Sequence, residues 1–384
     1  MKKEKVAVIF GTRPDTIKMA PVILELRQEK RLLDVLTIAT AQHRQMLDQV
    51  LDVFNIKPDY DLNVMRAKQS LAEITKNVIQ ALDDVLVKER PSMVLVQGDT
   101  TTTFVGSLAA FYRRIPVGHV EAGLRTNDRA NPFPEEINRR LTSCMTDLHF
   151  APTATSKKAL VRENVNPKTI FVTGNTVIDA LKIAVRKEYT FTVPELNHIV
   201  ARRRRVVLIT MHRRENWGEP MASAARALRR IAEAHPDLHL VFPVHLNPVV
   251  REVVFPILQS IPNISMIHPL DYLDFVNMIA RSYLIITDSG GVQEEGPALA
   301  KPILVLREVT ERPEAVKYGT VRLVGLDEER IFQTAERLLT DRRAYNAMAT
   351  ATNPYGDGHA GHRIVQIIKH YFGLTRTLPK EFVP

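Results

Sequence analysis

The stretch IITDSGGVQEE, residues 285–295, decides the fold of this chain. The apolar run from Tyr283 to Thr287 predicts a buried strand, and the small residues after it predict a tight turn into a helix with Ser289 as its N-cap. The two glycines let the backbone approach a ligand closely, and free N–H groups at a helix start favour a phosphate. One of the two glutamates that follow could reach a ribose hydroxyl. An ordinary strand-to-helix turn can have the same sequence, so the other strands must decide between these interpretations.

The length and composition indicate a globular protein with two domains. The chain has 384 residues, 45% of them hydrophobic and 25% charged, which is long for a single core. Its one cysteine, Cys144, excludes an intramolecular disulfide and suits a reducing compartment. No apolar run approaches the ~18 residues that a membrane span requires, and the run near the N-terminus is too short for a signal peptide. We therefore expect a cytoplasmic protein with no membrane partner.

The formal net charge of +9 indicates an anionic partner. Nucleic acid is not expected, because the arginines are scattered and the sequence contains no helix-turn-helix, zinc-finger or aromatic-interleaved basic pattern. The one dense run, Arg202 to Arg205, is interpreted as the solvated end of a linker. A small anionic ligand needs only a few of these charges.

Strands and helices alternate along the chain, which predicts parallel, doubly wound sheets. In the first half we predict strands at 5–10, 35–39, 93–96, 116–120 and 148–151, and helices at 16–28, 42–54, 71–89 and up to residue 112. The pattern restarts near 175–200, with strands predicted at 206–211, 238–243, 264–267, 283–287 and 303–306. The predicted fold class is therefore α/β, with two Rossmann-like domains facing a cleft. The predicted domains are residues 1–175 and 176–358, and a closing helix at 359–372 is expected to return to the first.

Polar and charged residues follow the predicted strands at seven places. In open α/β sheets ligands bind beyond the carboxyl ends of the strands, so these residues predict one active cleft. They are Arg13, Lys18, Asp99, His119, Glu121, Arg125, His212, Arg213, Arg214, Glu215, His245, Arg307, Glu311 and Arg312, and the seventh place is the glycine turn after the strand at 283–287.

The residue types in this set suggest proton transfer beside a departing phosphate. The carboxylates of Asp99, Glu121 and Glu135 could abstract and return protons if burial or crowding raises their pKa. A second group could neutralise a phosphate leaving group; its members are Arg13, Lys18, His212 and Arg312. Each acid could instead form a structural ion pair. That reading is favoured for Glu136, because Arg139 and Arg140 follow it at helical spacing.

No metal or redox cofactor is predicted. The histidines and the cysteine show no metal-ligand spacing. The segment Asp59-Tyr60-Asp61 resembles the Asp-x-Asp pattern of metal-dependent sugar transferases, but it is predicted to lie in a loop away from the catalytic residues. The turn after the first strand, Gly11 to Pro14, lacks the glycine pattern of a nicotinamide site.

Six motifs together resemble the bacterial non-hydrolysing UDP-N-acetylglucosamine 2-epimerases. The resemblance runs in order from about residue 5 to residue 370. The motifs are FGTRP (10–14), QGDTTTT (97–103), HVEAGLRT (119–126), PEE (134–136), HRREN (212–216) and TDSGGVQEE (287–295).

The resemblance implies a GT-B fold, a homodimer and an isomerase that needs no cofactor. Members of this family interconvert UDP-GlcNAc and UDP-ManNAc by elimination of UDP to 2-acetamidoglucal and re-addition, which supplies ManNAc units for cell-surface polysaccharide. Three other functions stay open: a relative that hydrolyses UDP-GlcNAc, a GT-B glycosyltransferase, and a non-catalytic nucleotide-sugar sensor.

The resemblance also implies roles for individual residues. The catalytic residues would be Asp99, Glu121, Glu135 and His212. Those binding the UDP-sugar would be Arg13, Lys18, Phe275, Ser289, Gly290, Gly291, Glu295 and Arg312. A second, allosteric UDP-GlcNAc would contact Gln42, Gln45, Lys68, Glu135, Arg213 and His245. The chain departs from the family pattern at Lys68, Asp15 and Gln97, where arginine, glutamate and histidine are expected.

Overall fold

The computed structural model describes residues 3–40, 44–64 and 69–384. The chain divides into two compact units. Unit 1 consists of Met1–Lys182 together with Tyr355–Pro384, and unit 2 is Ile183–Pro354. Each unit is an α/β layer structure built on its own sheet.

The sheet of unit 1 is wholly parallel, as the alternating pattern predicts. Its seven strands lie in the order β3-β2-β1-β4-β5-β6-β7. Their bounds are β1 (Glu4–Phe10), β2 (Leu33–Ala39), β3 (Tyr60–Asp61), β4 (Met93–Gln97), β5 (Val117–Val120), β6 (Leu148–Ala151) and β7 (Ile170–Val172). The neighbours β1, β4 and β5 therefore end side by side at the centre of one edge, and Gly11, Asp99 and Glu121 follow them.

The helices of unit 1 cover both faces of this sheet. They are α1 (Arg13–Gln28), α2 (Arg44–Val53), α3 (Leu71–Glu89), α4 (Thr101–Tyr112), α5 (Glu135–Cys144), α6 (Ala154–Arg162), α7 (Thr176–Ala184), which ends in unit 2, and the closing α16 (Ala360–Tyr371). Helix α3 has the predicted bounds. Ser70 caps it by accepting from the backbone N–H of Glu73, and Glu73 returns a carboxylate to Ser70. Its apolar stripe, including Val78 and Leu82, is buried in the core against the sheet.

The closing helix packs against α1, as the sequence suggests. Lys369 forms an ion pair with Glu29 at 2.8 Å. The backbone N–H of Gly361 donates to the Asp179 carboxylate at 2.8 Å, and a Cβ at Gly361 would lie 3.3 Å from the Pro21 carbonyl oxygen. The chain thus returns to unit 1 through a close contact, where a larger residue at position 361 would force the neighbouring backbone to shift by a few tenths of an ångström.

Unit 2 repeats the architecture with a six-stranded parallel sheet in the order β10-β9-β8-β11-β12-β13. The strands are β8 (Arg205–Thr210), β9 (Leu238–Pro243), β10 (Ile264–Ile267), β11 (Leu284–Thr287), β12 (Ile303–Val305) and β13 (Val321–Leu323). The helices are α8 (Pro194–Ala201), α9 (Glu219–Ala234), α10 (Pro248–Leu258), α11 (Tyr272–Arg281), α12 (Val292–Ala298), α13 (Pro313–Lys317), α14 (Glu328–Thr340) and α15 (Arg342–Ala349). The neighbours β8, β11 and β12 end side by side, so the HRREN motif, the Ser-Gly-Gly turn and Arg307 begin at one edge.

Several elements differ from the sequence prediction, and helices α5, α6 and α7 lie where no helix was predicted. Tyr60–Asp61 is the edge strand β3 rather than a loop, and the Asp59 carboxylate accepts from the backbone N–H and hydroxyl of Thr37. The prediction was wrong because two residues carry too little periodicity to signal a strand. The short strands β7 and β13 were missed for the same reason. Helix α8 lies inside the predicted polar linker, with Leu196 fully buried.

Among the described residues, no helix is both long and apolar enough to cross a membrane.

Candidate active site

Glu121 follows β5 at the carboxyl edge of unit 1 and is held by three different elements. Its Oε1 receives the Lys18 ammonium of α1 in an ion pair and the Asn175 side-chain amide at 3.0 Å. Its Oε2 accepts from the Gln97 side-chain amide at 2.6 Å. Glu121 itself has φ of 64°, a left-handed conformation that glutamate rarely adopts. The carboxylate is buried and fixed in one orientation, as a group that must meet a substrate in one geometry requires.

Asp99 lies beyond the neighbouring strand β4 and is linked to helix α5. Arg139 donates to Asp99 Oδ2 from Nε at 2.8 Å, and its Nη2 lies 2.6 Å from the same oxygen. Asn138 donates to the Asp99 carbonyl at 3.0 Å. Glu135 is the first residue of this same helix. Helix α5 therefore ties the predicted acid Glu135 to the turn that carries Asp99.

Glu136 has the structural role that its spacing predicts. It is fully buried, and its carboxylate lies 3.3 Å from Arg139 and 3.2 Å from Arg140. The backbone N–H groups of Thr126 and Asn127 also donate to it. Burial raises its pKa, but these donors and the arginines outweigh burial and hold the pKa below its ordinary value.

His119 is a residue of strand β5 and not a group beyond its end. It is fully buried, and its Nε2 lies 2.7 Å from the Gly98 carbonyl, to which the ring donates. Burial lowers the pKa of His119 to about 3, so the ring is neutral at physiological pH. Its prediction as a strand-end residue was wrong: the strand ends at Val120, as the sequence predicts, and His119 is a buried residue within it. The ring braces the turn before Asp99 instead.

The first turn of unit 1 satisfies its own N–H groups. The Asp15 carboxylate accepts from the backbone N–H of Gly11 at 3.1 Å and of Thr12 at 3.0 Å. Asp15 is buried, and burial raises its pKa to about 7. Arg13, the predicted phosphate contact, is the first residue of α1 at this turn. A side chain on Gly11 would meet the hydroxyls of Thr40 and Thr102, so glycine is required here.

The Ser-Gly-Gly turn in unit 2 differs from the prediction in one respect. Helix α12 begins at Val292 with Gly291 as its N-cap, so Ser289 does not cap it. The backbone N–H of Ser289 donates to the Thr287 hydroxyl at 2.9 Å, and its carbonyl accepts from the Gln293 amide at 3.1 Å. The two glycines separate the serine from the helix start, which the spacing alone did not show. Glu294 and Glu295 do lie in the first turn of α12.

Two guanidinium groups flank Gly290. A Cβ at Gly290 would lie 3.6 Å from Arg213 Nη2 and 3.9 Å from Arg312 Cζ. The Arg312 Nε donates to Glu294 at 2.6 Å, which fixes the arginine beside the turn. Two cations beside an open backbone turn make it attractive to a diphosphate. The strand-end pattern placed Arg213 in the active cleft and the family resemblance gave it an allosteric role; in the structure it lies beside the predicted UDP turn.

His212 follows β8 and lies against Asp288. Its Nδ1 is 3.2 Å from Asp288 Oδ1, and its ring stacks on His245 with centroids 5.9 Å apart. Burial lowers the pKa of His212, and His245 and Arg213 lower it further, while Asp288 opposes them. The structure therefore brings the predicted residues His212, Arg213 and His245 together in unit 2.

For the remaining predicted residues the structure gives their position but few contacts. Phe275 is a partly buried residue of α11, and Glu295 is partly buried in α12. Gln42 and Lys68 lie outside the described residues, and of Gln45 only its place in α2 is described. In the described part of the chain, no group of three or more histidine, cysteine, aspartate or glutamate residues is arranged to hold a metal ion.

A family model described as UDP-N-acetylglucosamine 2-epimerase matches residues 25–369. The chain belongs to this family. The UDP-N-acetylglucosamine 2-epimerase of Bacillus subtilis is 53% identical over 382 residues, 100% of this chain and 99% of that protein. The Escherichia coli K12 enzyme of the same name is 50% identical over 379 residues, 95% of this chain and 98% of its own length.

Solved structures of this epimerase family agree with the fold. The UDP-GlcNAc 2-epimerase of Neisseria meningitidis, crystallised with UDP-GlcNAc, superposes with a TM-score of 0.85 at 49% identity, covering 95% of this chain and 100% of that one. The family resemblance drawn from the motifs and the two-domain α/β fold class are therefore confirmed. The chain is an isomerase of the epimerase family, and the roles of its site residues remain predictions.

Proposed function

We propose that this epimerase interconverts UDP-GlcNAc and UDP-ManNAc by elimination and re-addition. A carboxylate removes the C2 proton, the C1–O bond breaks, and UDP leaves with the electron pair, giving 2-acetamidoglucal. A proton is then returned to the opposite face of C2 while UDP adds back to C1. The acceptor of the first proton and the donor of the second are carboxyl groups, so no redox cofactor is needed.

The observation that carries this proposal is the pairing of Asp99 and Glu121 at the ends of adjacent strands. Two acid groups that approach one sugar carbon from different directions are what inversion at C2 requires. Glu135, at the start of the helix that holds Asp99, is the third candidate. Arg139 donates a hydrogen bond to Asp99, and Gln97 donates one to Glu121. Both carboxylates are therefore held in a fixed orientation, which supports a catalytic role.

The departing diphosphate is assigned to the turn in unit 2. Gly290 leaves room beside its backbone, and the guanidinium groups of Arg213 and Arg312 supply positive charge. In this proposal Glu295 binds the ribose, Phe275 packs near the uracil, and Arg13 and Lys18 assist from unit 1. These residues act on one UDP-sugar, so the proposal requires both units in a single complex.

A second UDP-GlcNAc is proposed as an activator. The stacking of His245 on His212 supports this, because a ligand at His245 would contact a ring that also serves the reaction. If so, the rate rises sigmoidally with UDP-GlcNAc concentration, and His245→Ala makes the dependence hyperbolic. A hyperbolic dependence in the unaltered enzyme would contradict the activator site.

We also propose a homodimer. Phe111 and Tyr112, at the end of α4, are 58% and 64% exposed, and Leu141 on the adjoining α5 is exposed as well. Neighbouring exposed apolar side chains of this size favour burial against a second copy.

Supply of ManNAc units for a cell-surface polysaccharide is the pathway role implied by family membership.

The decisive experiment is incubation with UDP-GlcNAc in deuterium oxide. The proposal predicts UDP-ManNAc with deuterium at C2, and deuterium at C2 of the recovered UDP-GlcNAc. Free ManNAc with an equal amount of UDP would instead indicate hydrolysis. Absence of isotope uptake would indicate a transferase or a sensor, and it would overturn the proposal.

A further inference from the structure

Asp288, between β11 and the Ser-Gly-Gly turn, is a fully buried carboxylate whose role the motifs do not assign. Its Oδ2 accepts three hydrogen bonds: from the backbone N–H of His212 at 2.8 Å, from that of Arg213 at 2.7 Å, and from the Asn216 amide at 3.1 Å. Three donors on one oxygen fix the plane of the carboxyl group and hold the start of the HRREN motif against β11.

The other oxygen faces the His212 ring. Asp288 Oδ1 is 3.2 Å from His212 Nδ1, and although this oxygen is buried, no described group makes a hydrogen bond to it. A buried carboxylate oxygen needs a hydrogen-bond donor, and the donor that this geometry offers is Nδ1–H. A neutral imidazole carries one hydrogen, so a hydrogen at Nδ1 leaves Nε2 as an acceptor.

The surroundings of the ring disfavour its charged form. The groups that act on its charge are Asp288, His245 and Arg213. Burial lowers the pKa of His212, the histidine and the arginine lower it further, and only Asp288 raises it. The ring is nevertheless 40% exposed, so its Nε2 side is accessible.

We propose that Asp288 is a positioning residue that holds His212 in the Nδ1–H form and presents Nε2 as a hydrogen-bond acceptor to the UDP-sugar. In the resting state His212 therefore accepts a hydroxyl hydrogen of the ligand and does not donate to the diphosphate. If Nε2 takes up a proton during the reaction, Asp288 stabilises the imidazolium, and the ring can then donate to the departing diphosphate. This inference rests on the proposed function for its kinetic consequence, but the ring tautomer can be tested without it.

The test is Asp288→Asn. The side-chain oxygen of asparagine can accept the same three hydrogen bonds, because these outnumber the single contact at the other position. Its NH₂ group then faces Nδ1. We expect the ring to change to the Nε2–H form, which nitrogen-15 NMR of the imidazole detects directly; the His212 signals are assigned by their loss in His212→Gln. The kcat should fall about 10²–10⁴-fold, as for a catalytic histidine held in the wrong tautomer, with little change in the affinity for UDP.

Two matched variants separate positioning from simple stability. Asn216→Ser removes one donor to Asp288 without touching the ring contact, and it should keep the Nδ1–H form with a much smaller loss of kcat. In the His212→Gln background, Asp288→Asn should cause little further loss, because Asp288 acts through the histidine.

The outcomes are distinct. An unchanged Nδ1–H tautomer in Asp288→Asn, or equal losses from Asp288→Asn with and without His212, would overturn the inference. A wild-type protein that takes up no deuterium at C2 would overturn the proposed function, whereas the NMR result would still establish or refute the Asp288–His212 pairing.

Discussion

Nη2 of Arg139 lies 2.6 Å from Oδ2 of Asp99, and the same guanidinium group also reaches the buried Glu136. One planar fork thus connects a proposed catalytic carboxylate to the structural ion pair beneath it. Only arginine has donors in the directions that both contacts require.

Arg139→Lys tests this connection. Lysine keeps the charge but cannot contact both carboxylates in a fixed plane, so Asp99 loses its orientation. We expect kcat for epimerisation to fall about 10²-fold, the cost of a misplaced catalytic group, with a smaller change in KM. Arg113→Lys, at the exposed pair with Asp83, is the matched control and should leave kcat unchanged. A wild-type rate in Arg139→Lys would show that Asp99 does not depend on the fork.

Glu136→Gln should destabilise the fold. It would leave the side chains of Arg139 and Arg140 without their buried counter-charge, at a cost of about 3–5 kcal/mol in the free energy of unfolding. The pKa of Glu136 is lower in the folded state, so its contribution is present above about pH 4.5, the ordinary value, and is lost as the pH falls through the folded pKa. Urea unfolding at several pH values should show the difference between wild type and variant shrinking in acid. A constant difference would contradict this.

Asp179→Asn should stabilise the fold at neutral pH. Burial raises the pKa of Asp179 from 3.8 to about 6, so the folded state favours the protonated form and the wild type loses stability as the pH rises between these values. Asparagine can still accept from the Gly361 N–H and carries no charge. We expect a gain of about 3 kcal/mol at pH 8 and almost none at pH 4. The exposed Asp34→Asn is the control, and an equal gain at both pH values would refute the burial explanation.

Gly290→Ala should weaken nucleotide binding without harming the fold. The added methyl group would be in ordinary van der Waals distance of Arg213 and Arg312, so the protein tolerates it, but it occupies space proposed for the diphosphate. A charge-assisted hydrogen bond lost in this way costs about 1.5 kcal/mol, so the Kd for UDP should rise about tenfold. The Tm should stay at the wild-type value. Unchanged UDP affinity in calorimetry would remove this turn from the proposed site.

Replacing both Phe111 and Tyr112 by lysine should produce monomers. Like charges brought together across a symmetric interface repel, and the apolar contact area is lost. Light scattering after size exclusion measures the mass, and Val383→Lys, at a more exposed apolar site, should remain dimeric. A wild-type monomer, or a double variant that still dimerises, would contradict the proposed surface.

The alternation of strands and helices predicted most of the fold. Buried parallel strands are continuous apolar runs, and a helix such as α3 shows both an apolar face and an N-cap residue in its sequence. Short edge strands such as Tyr60–Asp61 have no such signal. At the site, strand ends identified Asp99, Glu121 and His212, since parallel strands end at one edge. Their partners could not be predicted: Asn175 is 54 residues from Glu121 in sequence, and Asp288 is 76 from His212. Such pairings depend on the order of the strands in the sheet, and the local sequence pattern does not determine that order.

The turn after β1 in unit 1 has backbone N–H groups that the chain itself occupies. At the turn of unit 1 the Asp15 carboxyl group already takes the N–H groups of Gly11 and Thr12, and it is attached to the same helix. A phosphate at this turn would compete for these N–H groups with a carboxylate of the same chain, whose effective concentration exceeds that of a free ligand. The polypeptide has thereby closed this turn to a phosphate from within, so an anion at this place would depend on side chains such as Arg13 and not on backbone N–H groups.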